Sequence, residues 1–286
     1  MNKKKVLVTG LNGLLGSSIK KYLLSYDIIE CNDLDISNFK DVSIRFKKSK
    51  PDIVIHTAAY TDVDGCEKNP EKAFLVNTIG TQNLVNCCIG KDILFIYISS
   101  TGIYGTEKDS RYIEFDDVLP TTVHHKTKYE AEKVVKTHLN KYLILRTGWL
   151  YGGTTEHKKN FVYKRYLEAL GSDKIYSDDS QIGNPTSVIE FVKQIEVLIE
   201  NNQYGVFNCV NSAINISRYD YVKEIIKQFE VSCDVKIAKS DIYKRLAPVS
   251  KNESAQNYKL DLLSLNIMSD WKDALSDYIL KLKSEL

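Results

Sequence analysis

The fold of this chain is decided by its first strand and the turn after it, Val6-Leu7-Val8-Thr9-Gly10-Leu11-Asn12-Gly13-Leu14-Leu15-Gly16. A short apolar run, glycines at this spacing and then an amphipathic stretch are typical of a strand, turn and helix that bind a dinucleotide. Gly10 permits a tight turn, Gly13 lets a pyrophosphate approach the backbone, and Gly16 lets helix and strand pack closely. The predicted cofactor contacts are Gly10, Asn12, Gly13, Leu14, Leu15 and Gly16; an ordinary tight turn is the alternative.

The composition narrows the class of protein. The 286 residues carry 39 basic and 37 acidic side chains, and the net charge of +2 argues against a nucleic-acid partner, which favours a one-sided basic excess. The hydrophobic fraction of 43% is enough for a substantial core. No apolar run reaches membrane-spanning length and no signal peptide precedes the first strand, so we expect no membrane partner and a cytoplasmic location.

Metal and disulfide chemistry is not expected. The six cysteines form no Cys-x-x-Cys pair and no histidine-spaced ligand set, which favours reduced thiols over a disulfide framework or zinc. Asp62, Asp64 and Glu67 form an acidic loop that could suggest a metal. Capping of the next helix or lining of the cofactor pocket is the favoured interpretation, and we predict no metal site.

Short apolar runs alternate with amphipathic stretches, which is typical of a parallel sheet flanked by helices. Strands are predicted at residues 6–8, 28–31, 52–57, 93–99, 142–146 and 206–210. Helices are predicted at 14–24, from Pro70 to about 88, from after Pro120 to about 138, within 152–171, at 188–199, and twice from 219 onward. The predicted fold class is α/β. A doubly wound parallel sheet (a Rossmann domain) occupies residues 1–150 and is completed by 184–211, and a smaller discontinuous substrate-binding lobe lies mainly in 151–286.

Five further segments carry chemistry: HTAAYTDVD (56–64), YISSTGIYG (97–105), HHKTK (124–128), LRTGWLYG (145–152) and DSQIGNPT (179–186). Together they resemble the extended short-chain dehydrogenase/reductase superfamily, and within it the dTDP-4-dehydrorhamnose reductase family of sugar-nucleotide enzymes. The resemblance keeps the family's order and covers nearly the whole chain. Epimerases and dehydratases share the earlier motifs.

The resemblance implies an active site with a Ser or Thr hydroxyl that orients the carbonyl, a Tyr that exchanges the proton, and a Lys that holds the nicotinamide ribose. Ser100 and Lys128 occupy the hydroxyl and lysine positions, whereas His124 stands where the family has its tyrosine. A serine at a strand end also caps its own backbone, which is the structural alternative for Ser100. A literal Tyr-x-x-x-Lys exists at Tyr129 and Lys133, but it lies about 140° further round the helix, so the His124 register is favoured.

A histidine changes the chemistry expected at this position. A free imidazole titrates near ~6.5 and a phenol near ~10, and the like charge of Lys128 is expected to lower the imidazole pKa further. A neutral imidazole is a competent base but a poor acid, and it is shorter than a phenol. Three interpretations stay open: a reductase that uses His124 or water, a different reaction, or a cofactor-binding protein without turnover. A surface histidine beside His125 is the structural alternative.

The resemblance also implies contacts outside the catalytic set. Those predicted for the cofactor are Asp35 and Ile36 at the adenine, Asn77 at the active-site backbone, Lys128, and Ala58, Ala59 and Tyr60 along the pocket. Those predicted for the substrate are Thr101, Tyr104, Trp149, Asn160, Phe161 and Lys164.

Basic residues and the end of the second strand bear on the ligands. Lys164 and Arg165 lie where the family binds its nucleotide and offer charge-assisted bonds to a diphosphate, or they solvate a helix. The pair Lys244-Arg245 resembles a second basic site. The strand end Glu30-Cys31-Asn32-Asp33 is acidic and has no arginine nearby, which favours NAD over NADP, because an acidic side chain accepts from a ribose 2′-hydroxyl.

These patterns predict an NAD(P)-dependent oxidoreductase that transfers a hydride to the keto carbon of a nucleotide-linked 4-keto-6-deoxy sugar. Its site is an atypical Ser-His-Lys set. The alternatives are a non-catalytic cofactor-binding regulatory or partner protein, and a sugar-nucleotide epimerase or dehydratase with His124 as base. A homodimer is expected by superfamily analogy.

Overall fold

The computed structural model describes residues 3–31, 33–238 and 245–286. Its strands are β1 (Lys5–Thr9), β2 (Asp27–Cys31), β3 (Ile53–His56), β4 (Leu94–Ser100), β5 (Tyr142–Thr147), β6 (Leu150–Tyr151), β7 (Lys174–Ser177), β8 (Thr186–Ser187), β9 (Gly205–Asn208) and β10 (Asp234–Ile237). Its α-helices are α1 (Leu14–Tyr22), α2 (Phe39–Ser49), α3 (Val63–Lys68), α4 (Pro70–Phe74), α5 (Gly80–Cys88), α6 (Val123–His138), α7 (Phe161–Leu170), α8 (Val188–Glu200), α9 (Arg218–Phe229), α10 (Tyr258–Leu262) and α11 (Trp271–Lys283).

The described residues contain one parallel sheet of six strands in the order β2-β1-β3-β4-β5-β9. The chain leaves β1 toward one edge to make β2, and then returns past β1 to place β3 on its other side. At such a switch of direction a crevice opens at the carboxyl ends of the strands. The predicted doubly wound parallel sheet is confirmed, and β9 is the strand that the stretch 184–211 contributes to it.

Apolar side chains cover both faces of this sheet, because alternate residues of a strand point to opposite sides. Val6 and Val8 face α1 and α8, whereas Leu7 faces α2, α5 and α6; all three side chains are fully buried. With both faces filled, polar side chains gather where the strands end. The carboxyl edge of the sheet is therefore the expected position of a ligand-binding site.

A third cluster of buried apolar residues lies apart from the sheet and draws on residues 151–282. It packs α7, α9 and α11 together around rings that include Tyr221 and Trp271. The short parallel pairs β6–β8 and β7–β10 also lie outside the main sheet. The prediction of two helices from residue 219 onward is incomplete, because the structure also has β10 and α10 there. None of the described helices is both long and apolar enough to cross a membrane.

The start of α6 is held by two side chains. Thr122 Oγ1 accepts a hydrogen bond from the N–H of His125 (3.1 Å), and Glu67 Oε1 accepts one from the N–H of Val123 (2.7 Å). Both oxygens satisfy N–H groups that have no partner within the helix. The first turn of α6 is thereby tied to α3, and this fixes the position of His124.

Candidate active site

The glycine turn after β1 has the geometry that the sequence predicts. Gly10 has φ +71°, and a Cβ there would lie 2.7 Å from the amide nitrogen of Ala58. A Cβ on Gly16 would lie 2.3 Å from the carbonyl oxygen of Gly10, so turn and helix are in direct backbone contact. Helix α1 begins after Gly13 with no side-chain cap and no acidic residue in its first turn. Its first N–H groups are therefore available to an anion.

Two side chains of the predicted cofactor set serve the core rather than the crevice. Leu15 is 7% exposed and packs with the sheet, which leaves only its backbone for a ligand. Ile36 is 4% exposed and packs against Gly80, where a Cβ would lie 2.8 Å from it. The Oδ1 atom of Asp35 accepts hydrogen bonds from the N–H and the hydroxyl of Ser37. The Ile36 side chain is therefore used in the core, and the adenine contact expected of Asp35 and Ile36 stays a prediction.

The loop after β3 is fixed by Asn77, which lies in the π-helical turn Leu75–Ile79. Its Oδ1 accepts from the N–H of Tyr60 (2.7 Å), while its Nδ2 donates to the Tyr60 carbonyl (3.2 Å) and to Thr127 Oγ1 (2.9 Å). Asn77 is 1% exposed. It joins this loop to α6, which is the backbone-fixing role implied by the resemblance, and its amide is fully used in doing so.

His124 is buried, so the alternative of a surface histidine is wrong. Its Nδ1 lies 3.1 Å from the carbonyl oxygen of Tyr60 and 4.0 Å from Cys66 Sγ. A carbonyl oxygen only accepts, so Nδ1 carries the hydrogen and Nε2 keeps the lone pair of the neutral ring. Burial above all, and then the like charges of His125 and Lys128, lower the pKa of His124 to about 3. At neutral pH the ring is a hydrogen-bond acceptor through Nε2.

Lys128 lies one turn further along α6 and is 6% exposed. Its Nζ lies 4.3 Å from the centroid of the Tyr97 ring and has no hydrogen-bond or ion-pair partner among the described residues. Burial lowers the pKa of Lys128 to about 7, although the carboxylate of Glu132 acts in the opposite direction. A buried ammonium without an acceptor is costly unless a ligand supplies one. Lys128 therefore fits a ligand hydroxyl.

His125 is a residue to which sequence reasoning gave no role. It lies against the 3₁₀ turn Thr101–Ile103, and a Cβ on Gly102 would lie 2.1 Å from its Cε1. Its Nδ1 is buried without a partner, and burial followed by the charge of Lys128 lowers its pKa to about 4. The rings of His124 and His125 meet edge to face at 5.2 Å. Two neutral imidazoles thus stand side by side at the start of α6.

Two hydroxyl groups end β4. Ser100 Oγ accepts a hydrogen bond from the N–H of Gly102 (3.2 Å), which is the capping bond of the structural alternative. That bond leaves the hydroxyl hydrogen of Ser100 free to donate. Thr101 is 1% exposed, its Oγ1 has no partner, and a Cβ on Gly148 would lie 2.6 Å from that oxygen. Thr101 is buried whereas Ser100 is partly exposed, so the Ser100 hydroxyl is the one that a ligand can reach.

The literal Tyr-x-x-x-Lys of α6 lies on its outer side. Lys133 Nζ donates to Glu130 Oε1 (2.7 Å) and lies 4.6 Å from the centroid of the Tyr129 ring. The Lys133 side chain is exposed, whereas Lys128 is buried. The pair Tyr129 and Lys133 thus points away from the residues around His124, as its position on the helix predicts.

Tyr104, a predicted substrate contact, lies in the interior of the protein. It is fully buried; its hydroxyl donates to Asn208 Oδ1 (2.7 Å) and accepts from Arg146 (2.9 Å). Its ring stacks on Tyr112 with a centroid distance of 4.8 Å. Both the ring and the hydroxyl are used inside the protein, so no part of the side chain reaches a ligand.

Asn160, another predicted substrate contact, also has its polar atoms paired within the protein. Its Oδ1 caps α7 by accepting from the N–H of Tyr163 (3.1 Å). Its Nδ2 donates to the carbonyl of Thr154 (2.9 Å) and to the hydroxyl of Tyr278 (2.7 Å). The side chain is fully buried and satisfied, and it fixes α7 against α11.

The basic pair of α7 divides between solvent and protein. Lys164 is exposed, whereas Arg165 is partly buried, with its guanidinium carbon 5.2 Å from the centroid of the Phe161 ring. Arg165 is paired with Glu168 at 2.6 Å. Phe161 stacks on Tyr221 at 5.4 Å and so is partly enclosed by the helix cluster. The structure brings Arg165, and not Lys164, toward the interior of this region.

Trp149 lies in a polar cluster that sequence reasoning missed. The guanidinium carbon of Arg218 is 3.5 Å from the centroid of its ring, and its Nε1 donates to Glu253 Oε2 (3.0 Å). These residues are far apart in the sequence, and no local motif joins them. Arg218 precedes the helix region predicted from residue 219 onward, and nothing in the sequence gave it a role.

The acidic loop after β3 has structural roles. Asp62 caps α3 by accepting from the N–H of Gly65 (3.0 Å), and Asp64 accepts from the N–H of Ala247 (2.9 Å). Glu67 binds the start of α6, as described above. Within the described residues no group of three or more His, Cys, Asp or Glu side chains is arranged to hold a metal ion.

Two predictions fall partly outside the described residues. Lys244 and Asn32 are not among them, while Arg245 is exposed. Glu30, part of the acidic strand end that favours NAD, forms an ion pair with Lys20 at 2.6 Å. The choice between NAD and NADP stays a prediction.

The fold and site define an extended short-chain dehydrogenase/reductase. The defining features are the parallel sheet, the glycine turn and the residues gathered at the start of α6. Residues 4–284 match the family model described as "RmlD substrate binding domain", and the chain belongs to that family. A dTDP-4-dehydrorhamnose reductase of Aggregatibacter actinomycetemcomitans is 30% identical over 78% of this chain and 79% of its own length.

Solved structures agree with this assignment. The crystal structure of a dTDP-4-dehydrorhamnose reductase from Clostridium acetobutylicum has a TM-score of 0.92 and 34% identity, covering 98% of this chain and 99% of that one. The Bacillus anthracis dTDP-4-dehydrorhamnose reductase, solved in complex with NADP, has a TM-score of 0.92 and 29% identity with the same coverage. The predicted family is therefore confirmed.

Proposed function

We propose that this protein is an NAD(P)-dependent reductase of a nucleotide-linked 4-keto-6-deoxy sugar. One observation carries the proposal: Lys128 is a buried side chain whose Nζ has no acceptor among the described residues, placed one helical turn from the free Nε2 of His124. The names of the relatives described above support the substrate class. The NADP bound by one of them supports a nicotinamide cofactor, with NAD and NADP to be separated by experiment.

The residues present fit such a cofactor. The free N–H groups at the start of α1, beside Gly13, would hold its pyrophosphate, and Lys128 would bind a ribose hydroxyl. When bound, the cofactor supplies the hydride that reaches the keto carbon. The chain itself supplies the orientation of the carbonyl and the proton for its oxygen.

The proton donor differs from the family's tyrosine. His124 has no hydrogen on Nε2 at neutral pH, because its single N–H is donated to Tyr60. Lys128, with its pKa lowered to about 7, is a matched acid and gives up its proton as the carbonyl is reduced. His124 Nε2 accepts a hydrogen bond from the hydroxyl or water that passes this proton on. Ser100 donates its hydroxyl hydrogen to the carbonyl oxygen and polarises it.

The test is oxidation of NADPH and of NADH by purified protein supplied with nucleotide-linked 4-keto-6-deoxy sugars. We expect turnover with wild type and a lower rate with His124→Ala. We also expect a gain of about tenfold or more with His124→Tyr, because a phenol restores an acid at this position. His138→Ala, at the exposed end of the same helix, is the control and should change nothing. An unaltered rate in His124→Ala would remove His124 from the mechanism.

A binding protein without turnover is the second candidate, and the absence of a hydrogen on His124 Nε2 favours it. Such a protein would bind NADPH, oxidise none of it with any sugar of the panel, and gain nothing from His124→Tyr. Analysis of the sugar product also tests the epimerase and dehydratase alternatives, because those reactions leave no net oxidation of NADPH.

A further inference from the structure

The indole of Trp149 is partly buried and has three close protein contacts. A Cβ on Gly183 would lie 2.6 Å from Cε2 of the indole, the Arg218 guanidinium covers the ring at 3.5 Å, and the indole N–H is donated to Glu253. Trp149 has φ +43°, which is uncommon for a bulky residue and directs the ring into this position. Protein groups thus cover part of the ring and take its N–H, while the side chain stays partly exposed.

Arg218 is in the opposite situation. It stacks on Trp149, yet its Nε is buried with no acceptor and it forms no ion pair with a described carboxylate. Its main-chain N–H donates to the carbonyl of Gln181 (3.2 Å), which anchors the start of α9. Burial above all lowers the pKa of Arg218 to about 10; the nearby Glu253 carboxylate raises it and Arg245 lowers it further. The guanidinium is held in place by its stacking partner, and its Nε has no hydrogen-bond acceptor even though the Glu253 carboxylate is near enough to act on its charge.

The charges around Arg218 favour an anionic ligand. Arg245 and Arg165 both act on it as like charges, although Arg165 is itself paired with Glu168. The nearby carboxylate, Glu253, is 6% exposed and accepts the indole N–H. Guanidinium groups recognise phosphate oxygens through paired, charge-assisted hydrogen bonds. A phosphate group would therefore supply the hydrogen-bond acceptor that the protein does not give to the Arg218 guanidinium.

The cluster also adjoins the proposed site of reduction. Gly148 precedes Trp149, and its Cβ position lies 2.6 Å from Thr101 Oγ1, next to Ser100. In a nucleotide-linked sugar the diphosphate is attached directly to the sugar. We infer that Arg218 binds the diphosphate of the substrate, and that Trp149 is a positioning residue for this guanidinium. The inference rests on the proposed function, since it assumes a nucleotide-linked substrate.

The experiment measures binding of thymidine diphosphate, uridine diphosphate and thymidine by calorimetry, with no turnover required. We expect wild type to bind both diphosphates more tightly than thymidine. Arg218→Gln should weaken diphosphate binding by about tenfold to a hundredfold, as for loss of a hydrogen bond to a charged group, and leave thymidine and NADPH binding unchanged. Arg218→Lys keeps the charge without the planar group and should fall between the two. Trp149→Phe removes the N–H to Glu253 and should weaken the diphosphates less than Arg218→Gln.

Lys227→Gln is the matched control, because it removes an exposed cation from the same helix. The melting temperature separates binding from folding: Arg218→Gln removes an unpaired cation and should not melt below wild type. Equal diphosphate affinity in wild type and Arg218→Gln overturns the inference, as does a wild type that binds no diphosphate. If Arg218→Gln does not fold, Arg218→Lys decides in the same way. Absence of NAD(P)H oxidation despite Arg218-dependent diphosphate binding would instead count against the proposed function.

Discussion

Arg146 and Lys128 are two buried cations near the carboxyl edge of the sheet, and the protein treats them differently. Arg146 is 3% exposed; it donates to both carboxylate oxygens of Glu132 (3.0 and 2.8 Å) and to the Tyr104 hydroxyl. Burial alone would lower the pKa of Arg146, but Glu132 outweighs it and the pKa is raised. Lys128 has no such partner, and its pKa falls. The charge of Arg146 is thus satisfied within the fold, whereas that of Lys128 has no partner among the described residues, as the proposed ligand role requires.

The buried histidines show the same division. His56 Nε2 must donate to Thr81 Oγ1 (3.0 Å), because the Thr81 hydroxyl hydrogen is already donated to Asn77, and Thr9 Oγ1 donates to His56 Nδ1 (2.7 Å). Both ring nitrogens of His56 are satisfied. His124 has only its Nδ1 satisfied. The groups whose polar atoms are all satisfied by the protein thus lie within the sheet. Those with an unsatisfied polar atom lie where β4 and the loop after β3 meet α6.

The largest expected effect concerns Lys128, the buried cation that has no protein partner among the described residues. Lys128→Met should lower the rate of NADPH oxidation by about 10²–10⁴-fold, since it removes the proposed proton donor. It should not lower the free energy of unfolding, because an unpaired buried ammonium is replaced by an apolar chain of similar size. Steady-state rates and urea unfolding measure the two quantities. Loss of stability comparable with the loss of activity would show that Lys128 belongs to the fold.

Arg146, the buried cation that is paired with Glu132, should respond in the opposite way. Glu132→Gln leaves the Arg146 guanidinium buried without its counter-charge, and the free energy of unfolding should fall by about 3–5 kcal/mol. Glu130→Gln, which breaks the exposed pair with Lys133 on the same helix, is the control and should cost no more than about 1 kcal/mol. Urea unfolding of both variants tests this. Equal midpoints would mean that Arg146 is no more dependent on its partner than a surface cation.

The comparison also separates what the sequence could reveal from what it could not. The glycine turn was predictable because Gly10, Gly13 and Gly16 are close in sequence and each answers a local backbone requirement. His124 and Lys128 were predictable as a pair because four residues make one helical turn. These inferences needed no knowledge of distant contacts.

Residues whose role depends on distant partners were not predictable. Tyr104 and Asn160 have the polar groups of ligand contacts, but Asn208 and Tyr278 satisfy them from far along the chain. Arg218 had no visible role, because Trp149 meets it only in the folded protein. A polar side chain alone does not reveal whether the protein or a ligand will satisfy it.

Acid should destabilise the protein through both buried histidines, His56 and His124. Burial first, and then Lys128, lowers the pKa of His56 to about 3, and burial lowers that of His124 likewise. Between pH 6.5 and pH 3 the unfolded chain therefore binds protons that the folded chain does not, and stability falls as pH falls. Each histidine contributes at most about 1.4 kcal/mol per pH unit in this window.

Substitution to leucine then distinguishes His56, whose ring nitrogens both have protein partners, from His124, whose Nε2 has none among the described residues. Both His56→Leu and His124→Leu should reduce the acid dependence of urea unfolding. At pH 7, His56→Leu should cost about 1–3 kcal/mol, because two buried threonine hydroxyls lose a partner. His124→Leu should cost less, because its Nε2 has no protein partner to lose. A larger loss for His124→Leu at pH 7 would contradict the division.

The smallest expected effects come from the glycine turn, where a Cβ has no room at Gly16 and more room at Gly13. A Cβ on Gly16 meets the Gly10 carbonyl oxygen at 2.3 Å, whereas one on Gly13 meets the same oxygen at 3.1 Å. Gly16→Ala should therefore lower the free energy of unfolding by about 1–3 kcal/mol, as overpacking does, and Gly13→Ala by less. Gly13→Ala should instead weaken NADPH binding, because its methyl group would stand where the proposed pyrophosphate site meets the backbone. Calorimetry and thermal unfolding of the two variants measure both effects. A Gly13→Ala variant that binds NADPH as tightly as wild type would place the pyrophosphate away from this turn.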